Sequence, residues 1–545
     1  MLERLERDTF DIAVIGGGIT GASIARDAAL RGLSVALVEK GDFASGTSSR
    51  SSRLIHGGLR YLRHLHLGMV RESLHERGLL LRLAPHLVRP VPFMLPVYED
   101  SGDSPMIIRL GLTGYDLLAG TLGIGRHHAV SRRRVLKDEP SLRDEGLLSG
   151  FRYFDAITDD ARLAVTVALS AVREGAAAVN YVEAVSMETT GARISGVHYR
   201  DLLGGGEGTV RARAVVSAAG PWTDRLRSLV GAESVLRPTK GIHVVVPRDR
   251  LPTNAVVPFY AGDRPLIAVP HGQHTYIGTT DTDWSGDPSS VEADHADVAY
   301  VLEAANKSFA VELSMTHVVA TWAGVRPLLR EEGSTSDVSR DYAILDGPPG
   351  LYTVCGGKLT TFRSIAEQLV DHVIEREGDH FATRPAPCRT AKEPLPGAAA
   401  DFSRYRKTAM AALRDGWGLP EETAGRLVGT YGTEHIRVLA HAAREPDALR
   451  PLAPGSPMLA AEAMYAASEE MAATLEDFLR RRSDVMLFGD GGNAALAAEA
   501  ARLMGRVLGW DRDETRRQLA SYQNAVSRMM AFRGGADPSA AETPP

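Results

Sequence analysis

Apolar runs alternate with turn-forming residues from the first strand onward. Residues 10–15, FDIAVI, are short, apolar and partly β-branched, the pattern of a strand buried on both faces. ASIARDAALRG at 22–32 has helical spacing and a glycine stop at Gly32. LSVALVE at 33–39 predicts a second buried strand. AVVSAAG (214–220) and LYTVCG (351–356) predict two more, the latter followed by an amphipathic helix running to about residue 374. Between them lie KGIHVVVPRDR, AVVPFYA, PLIAVP and HTYIGTT, which predict antiparallel strands; the last two form a hairpin turning at His271-Gly272-Gln273. DDARLAVTVALSAVREG (159–175) is helical in period, and ARISGVHYR (192–200) is strand-like. Residues 61–84 predict one helix with arginines and histidines among leucines, ending before Pro85. MIIRLGLTGYDLLAG (106–120) is a second apolar stretch with one arginine. Both suit either an interfacial face towards a membrane or a core helix with a charged outer side.

Residues 387–402, PCRTAKEPLPGAAADF, predict a linker, and amphipathic helices with glycine stops follow. The final RGGADPSAAETPP (533–545) reads as disordered.

Composition narrows the function classes. A charged fraction of 24% and a hydrophobic fraction of 44% exclude wholesale disorder. A net charge of −6 gives no global case for a nucleic-acid partner. The two cysteines, Cys355 and Cys388, cannot build a disulfide framework, a four-cysteine zinc site or a cysteine-bound iron–sulfur cluster. No metal site is expected, and a reducing compartment is. Cys355 fits a small apolar residue at a strand end better than a redox thiol. The N-terminus lacks a signal-like apolar segment, and no apolar run approaches the roughly 20 residues that span a bilayer. The expectation is a cytoplasmic chain, with one-sided attachment to the inner face of the cell membrane kept open.

The chemistry concentrates between the first two strands. Gly16-Gly17-Gly18-Ile19-Thr20-Gly21 joins strand to helix, and Glu39 ends the second strand. Gly16 permits the tight turn, Gly18 lets a pyrophosphate approach the backbone, and Gly21 lets the helix pack on the strand. The helix N-terminus attracts phosphate, and Glu39 can accept the hydroxyls of an adenosine ribose. Residues 46–52 are hydroxyl-bearing or glycine except for Arg50, a composition suited to a loop that hydrogen-bonds a ligand. His56-Gly57-Gly58 would let main chain pass close to a flat ring.

Gly16–Gly21, Glu39, Thr47-Ser48-Ser49, Ser51-Ser52 and LIHGGLRYL at 54–62 resemble the FAD-dependent glycerol-3-phosphate dehydrogenases, of the aerobic bacterial type. The resemblance runs to about residue 385 and less specifically beyond. It implies an α/β fold: a Rossmann-like FAD-binding domain interleaved with an antiparallel-sheet substrate domain, as in glutathione reductase and D-amino-acid oxidase, plus a C-terminal α-helical domain. The division expected is a body over 1–385, with FAD-binding pieces at about 8–85, 150–222 and 350–385 and a substrate domain mainly at 86–149 and 223–349. A linker over 386–402, a separate helical domain over 403–532 and the tail complete it. FLRRRSDV fits the family's accessory C-terminal region.

FAD is the implied cofactor, held by Gly16, Gly18, Ile19, Thr20, Gly21, Glu39, Lys40, Thr47, Ser48, Ser51, Ser52, Ile55, His56, Gly57, Gly58, Ala219, Gly220, Trp222, Gly357, Lys358, Leu359 and Thr360. The implied substrate is sn-glycerol 3-phosphate, met by Arg60, Tyr61, His243, Arg326, Arg340 and Lys358. Several cations suit a dianionic phosphate. His243, Arg326 and Lys358 are the catalytic candidates. His243 is expected to take the C2 hydroxyl proton as hydride passes to flavin N5, and Arg326 to stabilise developing alkoxide charge. Electrons would pass to quinone or another acceptor, and a homodimer is compatible. An oxygen-using glycerol-3-phosphate oxidase and a D-amino-acid-oxidase-like amine oxidase are the enzyme alternatives. A flavoprotein acting on RNA and a non-catalytic flavin-stabilised subunit are the others.

Overall fold

The computed structural model describes residues 1–63, 65–100, 102, 104–262, 264–330, 342–489 and 493–534, apart from the side chains of Arg60, Arg63, Arg444 and Pro446. Its largest sheet is eight-stranded. Parallel pairing joins Leu351–Gly356, Glu207–Ser217, Thr9–Ile15, Val35–Glu39 and Ala177–Asn180 in that order. The apolar runs seen in the sequence are the central strands because both faces of a parallel sheet are covered. On one face lie the helices Ile19–Leu30, Asp160–Arg173 and Phe362–Glu377, which pack on one another. Small residues let them approach: Ala22, Ala25, Ala28, Ala164, Ala168 and Ala366 are all fully buried. The strand Tyr342–Asp346 pairs antiparallel with Leu351–Gly356, so it belongs to this sheet and not with the substrate-domain segment in which the sequence division leaves it.

A six-stranded antiparallel sheet forms the second layer, with Leu236–Pro247 at its centre between His274–Gly278 and Ala320–Leu329. Arg264–His271 and His274–Gly278 form the expected hairpin, with Gly272 at φ +56° in its turn. A four-stranded sheet pairs Leu147–Ile157 with Arg89–Tyr98, Leu54–Ile55 and His128–Ser131. Leu147–Ile157 therefore leaves the large sheet, although most of it falls in a segment the sequence division assigns to cofactor binding.

Two elements depart from their expected form. The helix expected over 61–84 is two, Leu59–Arg63 and Leu67–Leu83. Leu65 lies between them at φ +59°, a left-handed conformation that cannot continue a right-handed helix. The C-terminal helices have their own core, built from Leu427, Val438, Tyr465, Phe478, Met504 and neighbours. This C-terminal helical domain also packs on the body. Arg162 donates to both Glu470 oxygens at 2.7 and 2.5 Å, and Phe532, 1% exposed, sits in the core of the antiparallel-sheet domain. Residues 535–545 of the expected tail lie outside the described residues.

Candidate active site

At the carboxyl ends of the parallel strands the chain turns on Gly16, at φ +109°. A Cβ there would lie 2.5 Å from the Ala218 carbonyl oxygen, and one on Gly21 would lie 1.9 Å from the Gly16 oxygen. The two glycines are thus fixed by backbone packed on backbone, and Gly21 acts through packing. A Cβ on Gly18 would meet only the Ser48 hydroxyl, at 3.1 Å, so this position faces open space on its other sides. Ser48 accepts from the Ile19 N–H at 2.9 Å, which ties the 46–52 loop to the helix N-terminus. Glu39 accepts from Gly17 N–H at 2.6 Å and Gly41 N–H at 2.8 Å. Burial pushes its pKa up, opposed by these two donors. Lys40 stands 3.8 Å over the Trp222 ring, and burial lowers its pKa.

A cavity crosses these strand ends. Of the residues expected on the cofactor it is lined by Gly16, Gly18, Ile19, Thr20, Glu39, Lys40, Thr47, Ser48, Ser51, Ala219, Gly220, Trp222, Gly357, Lys358 and Leu359. Its glycine floor, helix N-terminus and terminal carboxylate fit the phosphates and ribose of a dinucleotide. Ser52, Ile55, His56, Gly57, Gly58 and Thr360 do not line it. Ile55 is core, while Thr360 accepts from the His56 N–H at 3.1 Å and so joins the first and third cofactor segments.

Ser52 has another partner. Its hydroxyl lies 2.8 Å from His243 Nε2. His243 is 2% exposed and stacks on Trp322 at 4.6 Å between ring centroids, with an interplanar angle of 11°. Its Nδ1 has no hydrogen-bond partner among the described residues. Burial, followed by the charges of Arg326 and Arg53, holds the imidazole pKa down at about 3, so the ring is neutral at physiological pH.

The antiparallel register places His243 opposite Gly278 and Trp322. A Cβ on Gly278 would strike the imidazole at 2.2 Å, one on Gly241 would strike the Arg326 guanidinium at 2.4 Å, and one on Gly324 would strike Arg50 Cβ at 2.8 Å. Three glycines on one sheet face therefore make room for the His243 and Arg326 side chains and the loop above them. Arg326 pairs with Asp281 at 3.0 Å and also donates to the Thr280 carbonyl and the Thr279 hydroxyl. Lys358 Nζ lies 3.9 Å over the Tyr61 ring. Arg60 is on the short helix that carries Tyr61, but its side chain and Arg340 lie outside the described residues.

Sequence reasoning passed over several supporting groups. Tyr115 donates to Asp155 and accepts from the Gly57 N–H at 2.8 Å, while Arg77 donates to Asp155 at 2.5 Å. Asp160 accepts from both the Ser51 N–H and its hydroxyl. Gly241, Gly278 and Gly324 were visible as glycines inside strand patterns, a signal for close approach by another group. Cys355 is 2% exposed, and burial pushes its thiol up to about 11, which keeps it protonated and unreactive.

Residues 11–372 match the family described as FAD dependent oxidoreductase, and residues 388–515 match the C-terminal domain of alpha-glycerophosphate oxidase. The chain belongs to the FAD-dependent oxidoreductase family, and its cofactor is FAD. It is 38% identical over 545 residues to a glycerol-3-phosphate dehydrogenase of Mycobacterium leprae, covering 99% of this chain and 92% of that one. It is 36% identical over 499 residues to an aerobic glycerol-3-phosphate dehydrogenase of Staphylococcus aureus, covering 89% and 88%. The crystal structure of the glycerol-3-phosphate dehydrogenase from Bacillus halodurans complexed with FAD superposes with a TM-score of 0.81 at 30% identity, covering 98% of each chain.

Proposed function

We propose that this chain oxidises sn-glycerol 3-phosphate to dihydroxyacetone phosphate. FAD, when bound, would supply the two-electron acceptor for the hydride whose loss from C2 makes the carbonyl. The observation that carries the reading is the Ser52–His243 pair, backed by Trp322 and flanked by Arg326. The half-exposed Ser52 hydroxyl is the outer member and the buried imidazole the inner one. When the C2 hydroxyl gives its proton to Ser52 Oγ, Ser52 passes its own to His243 Nε2, the other imidazole proton being on Nδ1. The O–H electron pair stays on oxygen and becomes the second C–O bond. Arg326, anchored by Asp281, stabilises the negative charge that grows on that oxygen. Lys358, Arg60 and Arg340 are the proposed phosphate ligands, because guanidinium and ammonium groups bind a dianion by charge-assisted hydrogen bonds.

The electrons leave, in this reading, to a quinone-type acceptor at a membrane surface. Among the described residues no helix is long and apolar enough to cross a membrane. The helix Pro105–Ala119 buries Leu112, Tyr115 and Ala119, yet exposes Met106 by 81%, Leu110 by 73% and Leu117 by 76%. Leu65 (78%) in the break, Leu67 at the start of the helix Leu67–Leu83, and Arg109 on the helix Pro105–Ala119 favour one-sided contact with an anionic bilayer.

Anaerobic titration tests the activity. Glycerol 3-phosphate should bleach the oxidised flavin band, while glycerol and D-amino acids leave it unchanged. Bleaching by D-amino acids alone would assign the site to amine oxidation.

A further inference from the structure

The C-terminal helices reach the neighbours of the proposed proton pair through a short segment. Residues Asp477–Arg482 form a single wide turn of π-helix, and Val485–Phe488 a short helix after it. Arg480 donates to the Ser49 carbonyl at 3.0 Å. Arg481 and Arg482 each donate to Asp42 at 2.6 Å, just before the loop begins. Asp484 accepts from His271 at 2.8 Å and lies 3.7 Å from Arg53. Phe488 packs at 4.0 Å on the His271 ring and edge-on to Trp322 at 6.1 Å, and Trp322 is the ring on which His243 stacks.

The loop between these contacts carries Ser52. Its carbonyls are held in turn: Ser49 by Arg480, Ser51 by Trp322 Nε1 at 3.3 Å and Ser52 by the Tyr276 hydroxyl at 3.1 Å. Arg480 is 7% exposed, and its Nη1 has no hydrogen-bond partner among the described residues. Burying a guanidinium with so few acceptors opposes folding. Among the described residues its one hydrogen bond goes to the loop that presents Ser52.

We propose that the C-terminal helical unit is a working part of the active site, its 477–488 wedge positioning Ser52 and His243 through Arg480 beneath the loop and Phe488 behind Trp322. This rests on the reading of His243 as the final proton acceptor. Arg480 and Phe488 touch neither substrate nor cofactor and are positioning residues. A proton relay through two heavy atoms depends steeply on separation, and displacement by about 1 Å costs up to about 100-fold in rate.

Full-length Arg480→Met, Arg480→Lys, Phe488→Leu and His243→Gln are compared with the parent, all loaded with FAD. Flavin reduction by saturating glycerol 3-phosphate should slow on the order of tenfold in Arg480→Met and Phe488→Leu. FAD content and half-saturating substrate should stay near parental values, and Arg480→Lys should recover part of the rate. In Arg480→Met the loosened loop admits water to His243. Its pKa then returns towards the ordinary value of about 6.5, and an acid limb appears near pH 6 that the parent lacks. Independently of activity, amide hydrogen exchange over residues 46–53 should accelerate in the FAD-free protein. If Arg480→Met does not fold, Phe488→Leu carries the same rate and pH readings. Parental rates and a flat pH profile in the wedge variants, with His243→Gln slow, would overturn the positioning role alone. A fully active His243→Gln would remove the proton-acceptor reading and this inference with it.

Discussion

At the scale of single residues, His243 shows how burial sets chemistry. A histidine at about pKa 3 is neutral in the folded chain, whereas in the unfolded chain it protonates near 6.5. Between those values the unfolded state binds the extra proton, so stability rises with pH through the window and is lost as pH falls. By pH 5 the cost is about 2 kcal/mol for one such group. His86, 8% exposed and also held at about 3 by burial, acts with the same sign. The melting temperature of the parent should therefore fall as pH drops from 7 to 5, and His243→Gln should flatten that slope without abolishing it. An unchanged slope would mean that the imidazole is not buried neutral. The residues around His243 differ in how well the sequence announces them. Gly21 and Glu39 stand out because the groups they meet, at Gly16, Gly17 and Gly41, are close in sequence, and Gly16 because it sits at a local turn with positive φ. Gly278 and Gly241 do not, because what they make room for comes from other strands or other positions in the sheet, and only pairing brings it there.

Among elements, the helix Pro105–Ala119 works on two faces. Tyr115 on its inner face reaches the Gly57 N–H, while Leu110 and Leu117 point outwards. Replacing Leu110 and Leu117 together by serine removes apolar area at roughly 25 cal/mol per Å² that a bilayer would cover. The double variant should lose most of its flotation with anionic liposomes at low salt while glycerol 3-phosphate still bleaches its flavin. Unchanged flotation would exclude this helix as the contact. Periodicity shows that the helix exists, but an apolar outer face and an apolar core face look alike in sequence. The helix break at Leu65 was equally hidden, since nothing in YLRHLHLG excludes a continuous helix.

Across the whole molecule, the C-terminal helices and the flavoprotein body share buried charge. Asp42 is fully buried between Arg481 and Arg482, whose charges outweigh burial and hold its carboxyl below its ordinary range. Breaking such a pair by removing one side leaves an uncompensated buried charge, a loss of about 3–5 kcal/mol. A chain ending at residue 387 would strand Asp42 and Arg162, and would remove Phe532 from the substrate-side core. It should be recovered aggregated or without flavin, as read from absorbance per chain. A soluble, FAD-saturated truncation would show that the body folds alone. DFLRRRSD announced three adjacent cations, yet Asp42 and Ser49, through which they reach the body, lie more than 400 residues away and no local pattern connects them. The sequence alone carried the cofactor-type fingerprint and the buried strands beside it, because glycine geometry and apolar periodicity act over a few residues, while the candidate cations came from the resemblance. Only the tertiary structure brought Ser52 to His243, set Gly278, Gly241 and Gly324 where they make room for His243, Arg326 and Arg50, and carried Arg480 to the Ser49 carbonyl. Those outcomes depend on register and burial, which exist only once distant segments have packed.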